Sequence, residues 1–275
     1  MDLHAVTVYD VAHERADLML GAGEAFLGGG TWLFSEPQPH LHRVLDLTGL
    51  DWQPVSLTPD TLEVAATCTV ERLAGLSGNH EWPAAPVFRH CAEALLASWT
   101  IWKQATVGGN ICLSLPAGSM ISLAVAFEAT AVIWTVDGGE RQLPINEFVT
   151  GIGSNTLTPG EVLRAIRIPM RVLHAHTAFR KISLSPLGRS GAVVIGRHDL
   201  DGTAVLSVTA ATTRPYVLRF PQLPTAQQLS DALTGFVPVE SYHTDAHGPA
   251  DWRRAVTAVL AEEVRTELSS WEDTL

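Results

Sequence analysis

Apolar and polar positions change period repeatedly along the chain, and each change marks an element. Val6-Thr7-Val8-Tyr9 alternates as a short strand, and residues 11–20 carry apolar side chains at helical spacing, which predicts a helix closed by Gly21 and Gly23. Ala25-Phe26-Leu27 is a brief strand running into Gly28-Gly29-Gly30-Thr31, and Val44-Leu45-Asp46-Leu47 and Leu62-Glu63-Val64-Ala65-Ala66 are further strands set off by turn residues. Thr69 is placed to cap a short helix over 70–76, and Pro83-Ala84-Ala85-Pro86 opens another over 87–96. Residues 119–129 fit an apolar helix, 131–136 a strand, Asp137-Gly138-Gly139 a hairpin turn into Gln142-Leu143, and 144–148 a short turn or helix. A loop-rich stretch then precedes a strand from Leu163 that Pro169 ends.

Beyond this point the pattern changes character. Segments 177–184, 192–198 and 204–212 are strand-like and separated by turns, as in an antiparallel sheet, and two helices follow over 225–233 and 249–267. In the second, Val256, Val259, Leu260 and Val264 recur at amphipathic spacing. A boundary near residue 172 divides the chain into 1–172 and 173–275.

Composition narrows the class. With 46% hydrophobic and 17% charged residues over 275 positions, the chain is long and apolar enough to bury a core. The longest apolar run, 121–134, is interrupted by Glu128 and too short to span a bilayer, and Met1-Asp2-Leu3-His4 lacks the basic start of a secretion signal, so a cytoplasmic location is expected. Twenty-nine acidic against eighteen basic residues give a net charge of −11, which repels a phosphate backbone and excludes nucleic acid as a natural partner. Cys68, Cys91 and Cys112 lie far apart, so they read as buried thiols rather than ligands of an iron–sulfur cluster or zinc, with Cys112 placed to line a site. His40 and His42 alternate, as do His174 and His176, so each pair is expected to share a strand face; neither has a third ligand nearby, so no metal site is expected. Asp46 reads as a sheet-end carboxylate and Glu262-Glu263 as a solvated face, and no residue pattern points to hydrolysis.

Two glycine clusters carry the candidate chemistry. Thr106-Val107-Gly108-Gly109-Asn110, within the stretch from Ala105 to Gly118, reads as a loop whose bare glycines let backbone pass close to a bulky ligand. Gly28-Gly29-Gly30-Thr31 follows a strand, a usual place for a phosphate-binding turn, although taken alone it reads as a tight turn without ligand. Gly21-Ala22-Gly23 is followed by Glu24-Ala25-Phe26, so the dinucleotide fingerprint lacks its third glycine, and no Gly-Lys-Ser/Thr completes a P-loop.

The ordered set of these pieces resembles the FAD-binding medium subunit of molybdenum hydroxylases, the group of carbon monoxide dehydrogenase and xanthine dehydrogenase. The matching residues are Gly28-Gly29-Gly30-Thr31 with Leu33, Val44-Leu45-Asp46-Leu47, Cys68-Thr69-Val70-Glu71-Arg72-Leu73, Ala105-Thr106-Val107-Gly108-Gly109-Asn110, Pro116-Ala117-Gly118, and Leu157-Thr158-Pro159-Gly160-Glu161 leading to Ile166-Arg167-Ile168-Pro169. The resemblance implies an α+β fold. A two-part FAD-binding domain of the PCMH/VAO type, with lobes of about 1–50 and 51–172, is followed at 173–275 by a smaller α+β domain like the C-terminal domain of the CO dehydrogenase flavoprotein, with a three-stranded antiparallel sheet.

It also implies the site. Phe26, Leu27, Gly28, Gly29, Gly30, Thr31, Trp32 and Leu33 correspond to the first FAD loop, and Thr106, Val107, Gly108, Gly109 and Asn110 to the second. Ser119 stands where the family usually has an aspartate at the ribityl chain, Leu163 matches a position near the flavin ring, and Lys181 matches a lysine near the cofactor, with Arg180 its counterpart if the alignment shifts by one. No catalytic residue is implied in this chain. Partner chains would carry the rest: a small subunit two [2Fe-2S] clusters and a large subunit the molybdopterin cofactor, in a dimer of heterotrimers. Electrons would pass from the nearer cluster through FAD to NAD+, a quinone or another small-molecule acceptor. Thr100-Ile101-Trp102-Lys103 replaces the family's Gln-Ile-Arg-Asn, and Trp32 replaces a small or polar residue. Ser119 and Trp32 motivate the alternative of a flavin-free structural or assembly subunit; a stand-alone flavin oxidoreductase is a third reading.

Overall fold

A computed structural model describes residues 4–272. Strands β1 (Val8–Val11), β2 (Glu24–Leu27) and β3 (Arg43–Asp46) form a parallel sheet in the order β1-β3-β2. The helix expected over 11–20 is absent. Val11 continues β1 opposite Asp46, and a single 3-10 turn, Arg15–Asp17, follows, closed by the Asp17 carboxylate accepting the N–H groups of His13 and Glu14. The apolar spacing that suggested a helix was not a buried stripe: Met19 is 75% exposed.

A second sheet is antiparallel throughout. Its strands are β4 (Val55–Leu57), β5 (Thr61–Ala65), β6 (Thr130–Trp134), β7 (Glu140–Pro144) and, further on, Val162–Pro169, with the last paired between β5 and β6. Between β5 and β6 lie five helices: α1 (Val70–Ala74), α2 (Pro86–Ala94), α3 (Trp99–Trp102), α4 (Val107–Leu113) and α5 (Ser119–Ala126). Thr69 caps α1 as expected, its hydroxyl accepting the N–H of Arg72. After β7 come α6 (Ile145–Phe148), a small hairpin of β8 (Val149–Gly151) and β9 (Ser154–Asn155), then β10 (Val162–Pro169) and α7 (Met170–Leu173). His40 lies in a turn and His174 caps α7, so neither histidine pair shares a strand.

The third sheet, β11 (His176–Ile182), β12 (Ala192–His198), β13 (Ala204–Thr209) and β14 (Tyr216–Phe220), is antiparallel in sequence order. It has four strands rather than three, because Tyr216 to Phe220 alternates inward and outward and pairs with β13. Helices α8 (Ala226–Phe236) and α9 (Ala250–Glu272) follow. On α9 the buried face runs through Arg253, Thr257, Leu260, Ala261, Val264 and Leu268, whereas Val259, expected inside, is 58% exposed. β12 is buried on both faces: Val193 and Ile195 join the core beneath α2 and α5, while Ala192 and Val194 join the core beneath α9. Among the described residues no helix is long and apolar enough to cross a membrane.

Candidate functional site

The two glycine segments meet, and the contact is between protein backbones. Ala105 to Gly108 is held to the turn after β5: Val70 N–H donates to Ala105 O (2.8 Å), Val107 N–H to Cys68 O (2.9 Å) and Gly108 N–H to Ala66 O (2.8 Å). The preceding carbonyl, Gln104, faces Gly29 so closely that a Cβ there would lie 1.6 Å from its oxygen. A Cβ at Gly108 would lie 2.4 Å from that of Ala66. These glycines therefore admit neighbouring protein, and the sequence reading of a cradle open at every glycine is corrected to this extent. Gly109 is different: it is exposed, and a Cβ there would meet only the Thr106 hydroxyl, at 2.8 Å.

The second segment is also not a loop. From Val107 it is helix α4, with Thr106 as its cap, the Thr106 Oγ1 accepting the Gly109 N–H at 3.1 Å. Its first-turn donors are thus already bonded. Asn110 Oδ1 accepts the Met120 N–H at 3.0 Å and so joins α4 to the start of α5. One residue before Met120, Ser119 is 2% exposed, and its hydroxyl has no hydrogen-bond partner among the described residues. A buried hydroxyl without a partner is costly in a finished core, and it fits a group that a ligand completes.

The first segment is the free one. None of the N–H groups of residues 28–33 donates to an acceptor among the described residues, although Gly30 is buried and the others are partly buried. β2 brings Phe26 and Leu27 to the edge of this turn, with the Leu27 carbonyl accepting the Leu47 N–H. Trp32 reaches across to the hairpin loop between β11 and β12, where the Arg189 guanidinium lies 5.8 Å from its ring centroid. Free N–H groups, an open Gly109 and an unpartnered Ser119 hydroxyl are the features a bound dinucleotide would use.

Leu163 is buried in the core beneath the helices, at a register shift of β10 between Leu163 and Ala165. Lys181 stands opposite Val193 on β11, on the face shared with Phe179, whose ring packs 5.2 Å from that of His90 on α2. Arg180, on the opposite face, is bonded to Glu263 (3.0 Å) and Glu267 (2.7 Å) of α9, which leaves Lys181 as the cation of this pair without a carboxylate partner among the described residues. Cys112 is half-buried on α4, where burial pushes its thiol up to about 12, and its carbonyl accepts from Asn155 Nδ2 at 2.8 Å. Asp46 closes β3 as a sheet-end carboxylate, accepting from the Tyr9 hydroxyl and from Thr48. Among the described residues no group of three or more His, Cys, Asp or Glu could hold a metal ion. Sequence reasoning missed Gln104 and Arg189. The turn composition around Arg189 marks a loop, but which segment that loop meets is a long-range fact.

The family model described as the FAD binding domain in molybdopterin dehydrogenase matches residues 5–171. The caffeine dehydrogenase subunit beta of Pseudomonas sp. (strain CBB1) is 30% identical over 193 residues, covering 64% of this chain and 61% of that protein. The nicotinate dehydrogenase FAD-subunit of Eubacterium barkeri is 26% identical over 167 residues, covering 58% and 55%. The matched stretch thus spans less than two thirds of either relative. Among solved structures, quinoline 2-oxidoreductase from Pseudomonas putida 86 superposes with a TM-score of 0.80 at 18% identity, over 98% of this chain and 99% of that one. A cyanide-inactivated Cu,Mo-CO dehydrogenase does so at 0.80 and 21%, over 95% and 99%. These likenesses show the fold, which is the mixed α+β class expected from the sequence. With its model spanning residues 5–171, well over half of the chain, the family of FAD-binding domains in molybdopterin dehydrogenases is the one to which this chain belongs.

Proposed function

We propose that this chain is the FAD-carrying electron-transfer subunit of a molybdopterin-dependent hydroxylase or dehydrogenase. The observation that carries the reading is the run of uncommitted N–H groups at residues 28–33, set against Gln104 and Thr106 of the second glycine segment. FAD, when bound, supplies the means to take up electrons and hand them on. The chain's residues do the rest. The N–H groups of Gly28 to Leu33 would hold the anionic diphosphate, and Gly109, exposed and without a side chain, would let the cofactor come close to α4. The Ser119 hydroxyl, buried and unpartnered, bonds the ribityl chain in place of a carboxylate. Lys181, without a carboxylate partner among the described residues, would supply a positive charge toward the flavin.

The chain holds no pattern of cluster-binding cysteines, so partner subunits bring the [2Fe-2S] clusters and the molybdopterin cofactor, in a dimer of heterotrimers. The acceptor beyond FAD is NAD+, a quinone or another small molecule. Flavin absorbance tests the core of this reading. Purified chain should show bound flavin or take it up on incubation with FAD; a preparation that stays colourless overturns it. That outcome would favour the flavin-free assembly subunit, a reading that the bonded first-turn donors of α4 support. Co-purification with two further chains, against turnover by the isolated chain, separates the subunit from a stand-alone oxidoreductase.

A further inference from the structure

We propose that Arg189 is the counter-charge for the diphosphate of the dinucleotide held on residues 28–33, and so the residue that makes this chain prefer FAD over an uncharged flavin. The inference rests on the flavin reading above. Six backbone N–H groups supply only partial charges, while the chain as a whole carries a net charge of −11. A full cation near the first glycine segment is therefore what the site needs most.

The arginines elsewhere are mostly committed. Arg43, Arg141, Arg167, Arg171, Arg197 and Arg253 are each bonded to carboxylates. Arg189 has no hydrogen bond or ion pair among the described residues, and its guanidinium lies over the ring of Trp32. A cation–π contact of this kind commits none of the five guanidinium N–H donors. Because Trp32 lies within the 28–33 run, this contact brings the guanidinium toward the segment that carries the free backbone donors. A planar guanidinium binds two oxygens of a phosphate at once, which an ammonium cannot do.

The loop that carries Arg189 is anchored rather than trailing. At its base the Gly191 N–H donates to Ile182 O at 2.8 Å, and Arg253 Nη1 donates to Gly191 O at 2.8 Å. Between Arg189 and this anchor, Ser190 is 3% exposed with a hydroxyl that has no partner among the described residues, a second polar group left uncommitted here.

Titration of the full chain with FAD, ADP and riboflavin tests the proposal. Relative to wild type, Arg189→Gln should weaken FAD and ADP about tenfold or more and leave riboflavin unchanged, since riboflavin has no phosphate. Arg189→Lys should recover part of the loss, and added salt should weaken wild type more than Arg189→Gln. Arg189 is exposed, so thermal melting of Arg189→Gln should match wild type. Unchanged FAD and ADP affinity in Arg189→Gln, or an equal loss with riboflavin, overturns the role of Arg189 while leaving the flavin reading intact. A wild-type chain that binds no FAD overturns both.

Discussion

Arg197 Nη2 lies 2.8 Å from Glu128 Oε1, an ion pair of a buried arginine that joins strand β12 of the third sheet to the turn between α5 and β6. Arg197, only 1% exposed, also donates to Asp199 and to the Ala126 carbonyl at the end of α5. Glu128, in the left-handed region at φ 51, accepts in addition from Arg171 and Arg219. Every buried donor and acceptor of the pair is thus answered, the condition under which a buried charge is tolerated.

Breaking one side should therefore cost more than the pair is worth. Arg197→Met is expected to destabilise the chain by about 3–5 kcal/mol, because it leaves the Glu128 and Asp199 carboxylates without their buried cation. Exchanging Arg197 and Glu128 together for apolar residues should cost less. Denaturant unfolding of the two variants checks this, and equal losses would contradict it.

Glu128 also gives the chain an acid-sensitive contact. Burial alone would raise its pKa, but the Arg197 charge and the hydrogen bonds from Arg197 and Arg219 outweigh burial and hold it at about 2. A lowered folded-state pKa means that the stabilisation is fully present above the ordinary carboxylate value and is lost as pH falls toward about 2. Glu128→Gln should flatten the decline of melting temperature across that acid window. A wild-type slope in the variant would count against the role given to Glu128.

The cap at Thr69 shows what local sequence makes legible, since its hydroxyl answers the N–H of Arg72 three residues on, whereas the same bond at Thr106 and Thr225 was not read from the sequence. The strands of the third sheet were legible in the local pattern as well, except Tyr216 to Phe220, whose short alternation follows a Pro-containing turn. The helical character of Gly108 and Gly109 was not legible, because glycine is a poor helix former and its first turn is fixed here by carbonyls of Ala66 and Cys68 far back in the sequence. Nor was the Trp32–Arg189 contact, which joins positions 157 residues apart. The sequence marked a set of unusual glycines; their division into those that receive protein and those left open came from the fold.

That division separates two glycine substitutions. Gly29→Ala places a Cβ on the Gln104 carbonyl, which belongs to a segment stitched by backbone bonds and unable to give way, so melting temperature should fall sharply. Gly109→Val meets only the Thr106 Oγ1, at 2.8 Å, so it disturbs the α4 cap and should cost less melting temperature than Gly29→Ala while blocking FAD. Melting curves and flavin content measured on both variants check the contrast, and retained flavin in Gly109→Val would remove Gly109 from the site.

The thiols should be quiet. Burial pushes Cys68 and Cys112 up to about 12 and raises Cys91 as well, so almost no thiolate exists near neutral pH. A disulfide reagent at pH 8 is expected to label native chain very slowly and all three cysteines rapidly in denaturant. Fast labelling of native Cys112, the least buried, would show that its surroundings open more readily than the structure implies.

Ser119 offers the sharpest test of whether the buried hydroxyl at the start of α5 is there for a ligand. In a structural role its hydroxyl is a liability, since no partner among the described residues answers it; replacing it with Ala removes an unsatisfied polar atom and should leave stability unchanged or raise it by about 1 kcal/mol. In a binding role the same hydroxyl is answered by the ribityl chain, so Ser119→Ala should weaken FAD by about 0.5–1.5 kcal/mol, which is up to roughly tenfold. Ser119→Asp restores the carboxylate usual in the family and should bind FAD more tightly than wild type if the ribityl hydroxyls donate there, at a cost in stability for the unliganded chain because a buried charge then lacks a partner. The two measurements move in opposite directions only if the hydroxyl faces the cofactor. A Ser119→Ala variant that loses stability and keeps its FAD affinity would place Ser119 in the core alone.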